Sequence, residues 1–273
     1  MSLLDAFSYR GKRVLVVGGA TGMGAAVAQL ALDAGAEVVV MDYSPVTQPG
    51  VTAIQMNLAE AASIEAAVER CGGPVHVVFA CAGVADGPGI ERINFIGHRH
   101  LIERLRDRNL MPRGSAIGFI SSAAGLAWRS NLDQLTTLLD ISDFDEAAEW
   151  VRDHGHAHYM WTKQAVCAYV AREAMSLIED GIRINAICPG PTDTPLAQAN
   201  AELWLDFGAD YRQKVGVAAA TPMEQAYPLL FLCSDAASVV NGITMITDSG
   251  YLSASIAGAF PPGADMATML LDG

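Results

Sequence analysis

The sequence predicts an α/β fold in which a seven-stranded parallel sheet is doubly wound by helices on both faces. Three observations predict it. Short β-branched runs alternate with longer helical patterns along the chain. Hydrophobic residues make up 51% of the 273 residues and charged residues only 17%, a balance that buries a large interior and excludes a disordered or fibrous chain. A glycine-rich turn joins the first strand to a helix. Residues 1–273 read as a single domain, with a helical insertion at 126–158 and a long connection at 192–221.

The elements follow in order. Arg13 to Val17, Glu37 to Met41, Val51 to Gln55, Val75 to Phe79, Ser115 to Ile120, Ile182 to Ile187 and Gly242 to Thr247 are the strand candidates. Helical patterns run over Gly22 to Ala34, Ala59 to Cys71, Arg92 to Asn109, Tyr159 to Glu179 and Met223 to Ser234, with Gly181 as a helix stop. Right-handed crossovers close these into a doubly wound sheet whose ligands bind at the carboxyl ends of the strands. Leu126 to His158 breaks the alternation. It is acidic (Asp133, Asp140, Asp143, Asp145, Glu146, Glu149, Asp153) and holds two short helices, Gln134 to Leu139 and Phe144 to Arg152. With few basic residues among them, these carboxylates predict a solvated cap beside the site, only Leu126, Trp128 and Trp150 making apolar contact. Thr192 to Thr221 carries Trp204, Phe207 and Tyr211 after a proline-rich entry, as a lid or binding loop would.

Thirty acidic against 17 basic residues leave a net charge of −13, which repels phosphate backbones and anionic lipid, so no nucleic-acid or membrane partner is expected. No stretch offers the roughly 18 to 20 apolar residues of a bilayer span. Met1 to Arg13 lacks the pattern of a secretory signal, and a cytoplasmic location is expected. Cys71, Cys81, Cys167, Cys188 and Cys233 are odd in number and scattered, as reduced core residues are.

The turn Gly18-Gly19-Ala20-Thr21-Gly22-Met23-Gly24 opens directly into a helix. An ordinary tight turn has the same spacing, but at a strand-to-helix junction glycines also let a pyrophosphate approach the backbone, where free N–H groups and the helix dipole favour its charge. The second strand ends in Asp42, whose carboxylate can accept from both hydroxyls of an adenosine ribose and repels a ribose phosphate. Tyr43 follows, and no lysine or arginine stands nearby, so NAD is the expected cofactor rather than NADP.

Tyr159 and Lys163 are four apart on one predicted helix and share a face. With only three lysines in the chain, chance supplies such a pair roughly 0.08 times. A neighbouring ammonium favours the phenolate, bringing the phenol toward the range of a general base. Glycine loop, serine, tyrosine and lysine in this order resemble the short-chain dehydrogenase/reductase family, a Rossmann-type fold, over almost the whole chain. Within Ile120-Ser121-Ser122-Ala123-Ala124-Gly125 the catalytic serine matches Ser122 best, with Ser121 as the alternative. The family's helix asparagine is matched by Asn94, and its proline-glycine turn by Pro189-Gly190, followed by Thr192 and Thr194.

The resemblance implies a hydride exchange between a nicotinamide and a secondary alcohol or ketone. Tyr159 moves the proton, Lys163 holds the ribose, Ser122 bonds the substrate oxygen, and Asn94 anchors a water or the surroundings of Lys163. It implies cofactor contacts from Gly18, Thr21, Gly22, Met23 and Gly24, from Asp42, Asn57 and Leu58, from Ala82 and Gly83, from Tyr159 and Lys163, and from Pro189, Gly190, Thr192 and Thr194. Three departures stand out. The family's Asn-Asn-Ala-Gly is Ala80-Cys81-Ala82-Gly83, without either amide, and its adenine-side aspartate is Asn57. Ser122 and Tyr159 also lie 37 residues apart, against about a dozen in the family, to accommodate the insertion. The bacterial 3α-hydroxysteroid dehydrogenase/carbonyl reductases share an insertion, Cys-Ala-Gly and Pro-Gly-x-Thr-x-Thr-Pro-Leu (Pro189 to Leu196).

A small-molecule alcohol or ketone, bulky and apolar or steroid-like, is therefore the expected substrate, with Trp128, Met160, Trp161 and Trp204 as candidate walls of its cleft. Dihydrodiol dehydrogenation, epimerisation and a catalytically silent dinucleotide sensor are the rival readings, and the direction of hydride transfer stays open. A homodimer or homotetramer is expected, built away from the insertion. His154, His156 and His158 alternate as metal ligands can, but no carboxylate or cysteine completes a set, so no metal is expected. The tail Phe260 to Gly273 folds over the site or packs on a partner subunit.

Overall fold

The computed structural model describes residues 2–272, so Met1 and Gly273 lie outside the described residues. Its centre is a seven-stranded, all-parallel sheet of β1 (Arg13–Val17), β2 (Glu37–Asp42), β3 (Val51–Gln55), β4 (Val77–Ala80), β5 (Ala116–Ile120), β6 (Arg183–Pro189) and β7 (Thr244–Thr247). The order is β3-β2-β1-β4-β5-β6-β7, with in-register pairs such as Leu15 opposite Val39 and Val78. The chain reverses direction across the sheet between β1 and β4, which opens a crevice at their carboxyl ends.

Strand alternation divides the interior in two. Leu15, Val17, Val39, Met41 and Val78 point to the face covered by helices Ala61–Glu69, Gly97–Asp107 and Tyr159–Glu179. Val14, Val16, Val38, Val40 and Phe79 point to the face covered by Gly22–Asp33 and Pro222–Cys233. The last of these helices starts at Pro222, where Thr221 and Glu224 form a capping box. The pattern at Arg92 does not begin as an α-helix: Arg92–Ile96 is a π-turn that feeds Gly97–Asp107.

The insertion is not the wet cap that its acidity predicts. After a 3-10 stretch, Ala123–Asn131, its helices Leu132–Asp140 and Phe144–Asp153 bury Leu135, Leu138, Phe144, Ala147, Ala148 and Val151 in the main core. Basic partners for its carboxylates come from elsewhere in the chain: Arg172 meets Asp140 at 2.6 Å and Arg92 meets Asp145 at 2.6 Å. Its own Arg152 pairs at 2.7 Å with Glu91, which is 2% exposed.

Thr192–Thr221 is broken into three short helices, Pro195–Gln198, Ala201–Trp204 and Ala209–Val215. The tail packs on this chain itself. Phe260, Ala267 and Leu270 join Ala123, Leu126, Tyr211 and Tyr251 in a third apolar cluster, under the stretch that follows Ser122. No helix among the described residues is long and apolar enough to cross a membrane. Leu135→Ala is expected to destabilise the protein by about 2–5 kcal/mol in urea unfolding, as a core truncation does. A loss under about 1 kcal/mol would show the insertion to be peripheral.

Candidate active site

A cleft of about 510 Å³ lies at the carboxyl ends of β1, β2 and β4. Its floor is the glycine turn, and close packing explains the glycines. A Cβ on Gly18 would stand 2.4 Å from the backbone of Ala82, and one on Gly24 would stand 1.9 Å from the Gly18 carbonyl. Gly22, at φ +59°, faces outward, its nearest neighbour being Thr194 at 3.6 Å. Thr21 caps the following helix without a side-chain bond, so the first N–H groups remain free toward the cleft. This cradle fits the pyrophosphate of a dinucleotide.

Asp42 is the only charged residue among the described residues lining the cleft. Its carboxylate already accepts from Ala20 N at 2.9 Å and Ser44 N at 2.8 Å, which holds the turn to β2 and leaves further lone pairs for hydroxyls. Asn57 is more committed than expected: Oδ1 accepts from Ala59 N at 3.0 Å, and Nδ2 donates to Glu60 at 2.8 Å. Met23, Leu58, Ala82, Gly83 and Thr194 line the cleft as well. Asn94, Ser122, Tyr159, Lys163, Pro189, Gly190 and Thr192 lie outside its lining, which Lys163 Nζ borders at Gly83, where an added Cβ would stand 3.5 Å away. The Thr192 hydroxyl donates to the Gly190 carbonyl at 3.0 Å. Gly190 is needed there because a Cβ would press on Asp248 at 2.8 Å.

The two serines separate clearly. Ser121 is buried, its hydroxyl donating to the Lys163 carbonyl at 2.8 Å. Ser122 turns toward Tyr159 and starts the 3-10 stretch, accepting from Ala124 N at 3.2 Å. Gly125 lets that stretch lie against the tyrosine helix, where a Cβ would meet the Lys163 carbonyl at 2.6 Å. His158 begins this helix, its Nδ1 accepting from Trp161 N at 3.4 Å. Lys163 is 5% exposed, donates to the Ile120 carbonyl at 3.0 Å, and stands 5.6 Å from the Tyr159 ring centre.

Burial dominates the electrostatics. It lowers Lys163 to about 8 and pushes Tyr159 up to about 12, while the adjacent Ser122 hydroxyl acts the opposite way on the phenol. The phenol therefore moves away from the general-base range, the reverse of the effect expected from the lysine alone.

Asn94 sits in the π-turn, fully buried. It ties the cleft edge to the helix of Lys163: its Oδ1 accepts from Val84 N at 2.8 Å, and its Nδ2 donates to the Val84 carbonyl at 3.0 Å and to Thr162 at 3.1 Å. Sequence reading passed over His98. Burial holds this imidazole at about 4, so near neutral pH it is uncharged, and its Nε2–H donates to the Ala82 carbonyl at 3.0 Å. The available signal was its position four residues after Asn94. Together these two residues hold the loop that lacks the family's amides.

Two of the three histidines of 154–158 stack on tryptophans: His154 on Trp150 at 4.2 Å and His156 on Trp161 at 4.4 Å. No metal-binding group of three or more histidine, cysteine or acidic residues occurs among the described residues. All five cysteines are free; Cys81 lines the cleft, and the Cys167 and Cys188 sulfurs are 3.8 Å apart behind Lys163. Trp161 is buried, Trp128 packs on the apolar cores, and Met160 is exposed. Trp204 alone of the four candidate walls packs its ring on that of Tyr159, the centres 4.8 Å apart.

The family model described as enoyl-(acyl carrier protein) reductase, within the short-chain dehydrogenases/reductases, matches residues 18–252. The chain belongs to the short-chain dehydrogenase/reductase family. Members of this family bind a nicotinamide dinucleotide and act as oxidoreductases. The chain is 26% identical over 255 residues to a coniferyl-alcohol dehydrogenase of Pseudomonas sp., covering 89% of this chain and 97% of that one. It is 27% identical over 252 residues to a 3-alpha-hydroxysteroid dehydrogenase/carbonyl reductase of Comamonas testosteroni, covering 87% and 95%. Among solved structures, the 3-alpha-hydroxysteroid dehydrogenase of Pseudomonas sp. B-0831 complexed with NADH superposes with a TM-score of 0.73 at 26% identity, covering 91% of this chain and 99% of that one.

Lys163→Met is expected to stabilise this family member, because a buried ammonium is costly. The native pKa of about 8 lies below the unfolded value of 10.5, so the unfolded chain binds more protons between them and wild-type stability rises with pH through that window. The advantage of the Met variant in urea unfolding should be greatest below pH 8 and shrink toward pH 10.5. A difference that does not change with pH would show that the lysine is not penalised by burial.

Proposed function

We propose that this chain is an NAD-dependent dehydrogenase that transfers a hydride between the nicotinamide and a secondary alcohol or ketone, with a bulky apolar or steroid-like substrate. The observation that carries this reading is the convergence of Ser122 and Lys163 on Tyr159, with Lys163 Nζ beside Gly83 in the wall of a cleft whose only charged lining residue among those described is Asp42. The bound nicotinamide supplies or accepts the hydride at C4.

In the oxidative direction Tyr159, as phenolate, takes the proton from the alcohol oxygen while the hydride leaves the carbinol carbon. The O–H bonding pair becomes the second bond of the carbonyl. Ser122 donates to the same oxygen as its charge changes. Lys163, protonated, would bond the ribose hydroxyls and favours the phenolate, opposing the burial that raises the phenol pKa. Asn94 and His98 fix the Ala82–Val84 edge, which would hold the nicotinamide half. Gly18, Thr21, Gly22, Met23 and Gly24 take the pyrophosphate, Asp42 the adenosine ribose, Asn57 and Leu58 the adenine side, and Thr194 closes the cleft opposite Gly22. Pro189, Gly190 and Thr192 act behind this surface, shaping the turn.

The preference for NAD rests on Asp42 standing without a counter-charge in the cleft. The names of the relatives, coniferyl alcohol, hydroxysteroid and, in a Sphingobium indicum protein 28% identical over 258 residues, 2,5-dichloro-2,5-cyclohexadiene-1,4-diol, support a ring-bearing alcohol. The same reading makes the protein a homodimer or homotetramer joined through surfaces that the insertion leaves free.

Tyr159→Phe should abolish NAD reduction on a panel of secondary alcohols while leaving NADH affinity within about twofold. Wild-type-like turnover would remove the phenol from the chemistry. Asp42→Asn, which keeps an acceptor for Ala20 N, should narrow the NAD-over-NADP ratio of kcat/KM by about tenfold. A wild type that uses both cofactors equally would overturn the role of Asp42.

A further inference from the structure

Trp204 is not explained by the chemistry above. Its ring centre lies 4.8 Å from that of Tyr159, the planes inclined at 43°, so any substituent on a carbon reacting at the phenol must pass beside the indole. We propose that Trp204 sets substrate choice, its indole being the wall on which a neutral, ring-bearing secondary alcohol packs in preference to an open-chain one; this rests on the dehydrogenase reading given above.

The segment that carries Trp204 is built for such a role. Upstream, Thr194 caps Pro195–Gln198, and Pro195 and Leu196 line the cofactor cleft beside Val84 and Ile93. Downstream, the Arg212 guanidinium bonds the Leu205 and Phe207 carbonyls, and Phe207 stands edge-on to Tyr251 at 5.0 Å. Between these two anchors Trp204 rides on a four-residue helix whose backbone bonds are local, Trp204 N to Asn200 O at 3.0 Å and Leu205 N to Ala201 O at 2.8 Å. One connection therefore reaches from the cleft to the reactive phenol, and the substrate has to lie beneath it.

The chemistry of the surroundings selects the substrate class. The wall beside Tyr159 is an indole, so a carboxylate or phosphate on the substrate finds no charged partner on it. An aromatic or alicyclic ring that replaces the Tyr159 face against the indole retains the stacking energy. An open-chain alcohol displaces the indole and recovers little of it. The indole also contributes to the burial that raises the phenol pKa, so a substrate ring that takes its place keeps water from the site.

The test compares wild type, Trp204→Ala and Trp204→Phe with NAD on 1-phenylethanol and 2-butanol. In wild type kcat/KM should favour 1-phenylethanol. Trp204→Ala should lower it for this alcohol about tenfold, mainly through KM, and raise it severalfold for 2-butanol, while Trp204→Phe retains most of the preference. Equal losses on both alcohols, or none on either, would overturn the proposal. A second readout does not depend on turnover: calorimetric titration of acetophenone into the NADH-loaded proteins. About tenfold weaker binding to Trp204→Ala supports the proposal, even if the wild type oxidises neither alcohol and the dehydrogenase reading fails. Equal binding by the two proteins, or none by wild type, overturns it.

Discussion

The carbonyl of Val17, at the end of β1, accepts from two successive N–H groups, Cys81 at 2.8 Å and Ala82 at 2.9 Å. This bifurcated bond ties the two strands that flank the point where the winding reverses, and it brings Ala82 against Gly18 so tightly that no side chain fits between them. Everything at the site is referred to that contact. The glycine turn takes its position from it on one side. On the other, Asn94 and His98 hold the next residues of the same loop from the helix beyond β4. The loop can therefore dispense with polar side chains of its own, since its carbonyls and N–H groups are fixed from both flanks.

The reacting end obeys a different constraint, that of a cation kept out of water. Lys163 makes one hydrogen bond to protein, to Ile120 O, and lies beside Cys81, Cys167 and Cys188. An ammonium in such a place is poorly compensated in the free protein and is the natural partner for hydroxyls brought by a ligand. The destabilisation is local, and the surrounding helices outweigh it: eleven residues of the Tyr159–Glu179 helix are buried.

Much of this was legible in the sequence for plain physical reasons. The Tyr159–Glu179 helix matches its predicted limits because Gly181 stops it, and the sheet follows from β-branched runs that alternate with helical ones. The insertion was misread because its charges were counted within the segment. Arg92 and Arg172, which neutralise Asp145 and Asp140, come from the π-turn and from the tyrosine helix, and the apolar spacing of Leu135, Leu138, Phe144, Ala147 and Val151 was outweighed by the acids between. For Trp204 the sequence offered four candidate walls and no choice among them, and for His98 only its spacing from Asn94. Each acts through a partner far along the chain, and only the packed sheet determines which ring meets which carbonyl or phenol.

The tail gives the protein a timetable. Phe260, Ala267 and Leu270 pack beneath the 3-10 stretch that runs on from Ser122, and the Ser130 hydroxyl donates to the Asp272 carbonyl. On the ribosome these residues emerge after the glycine turn, all seven strands and the tyrosine helix. A domain folds as a unit, so the ground under the serine is laid only once the tail is out. A chain stopped before residue 260 keeps every strand of the sheet and yet lacks the floor on which the stretch after Ser122 rests.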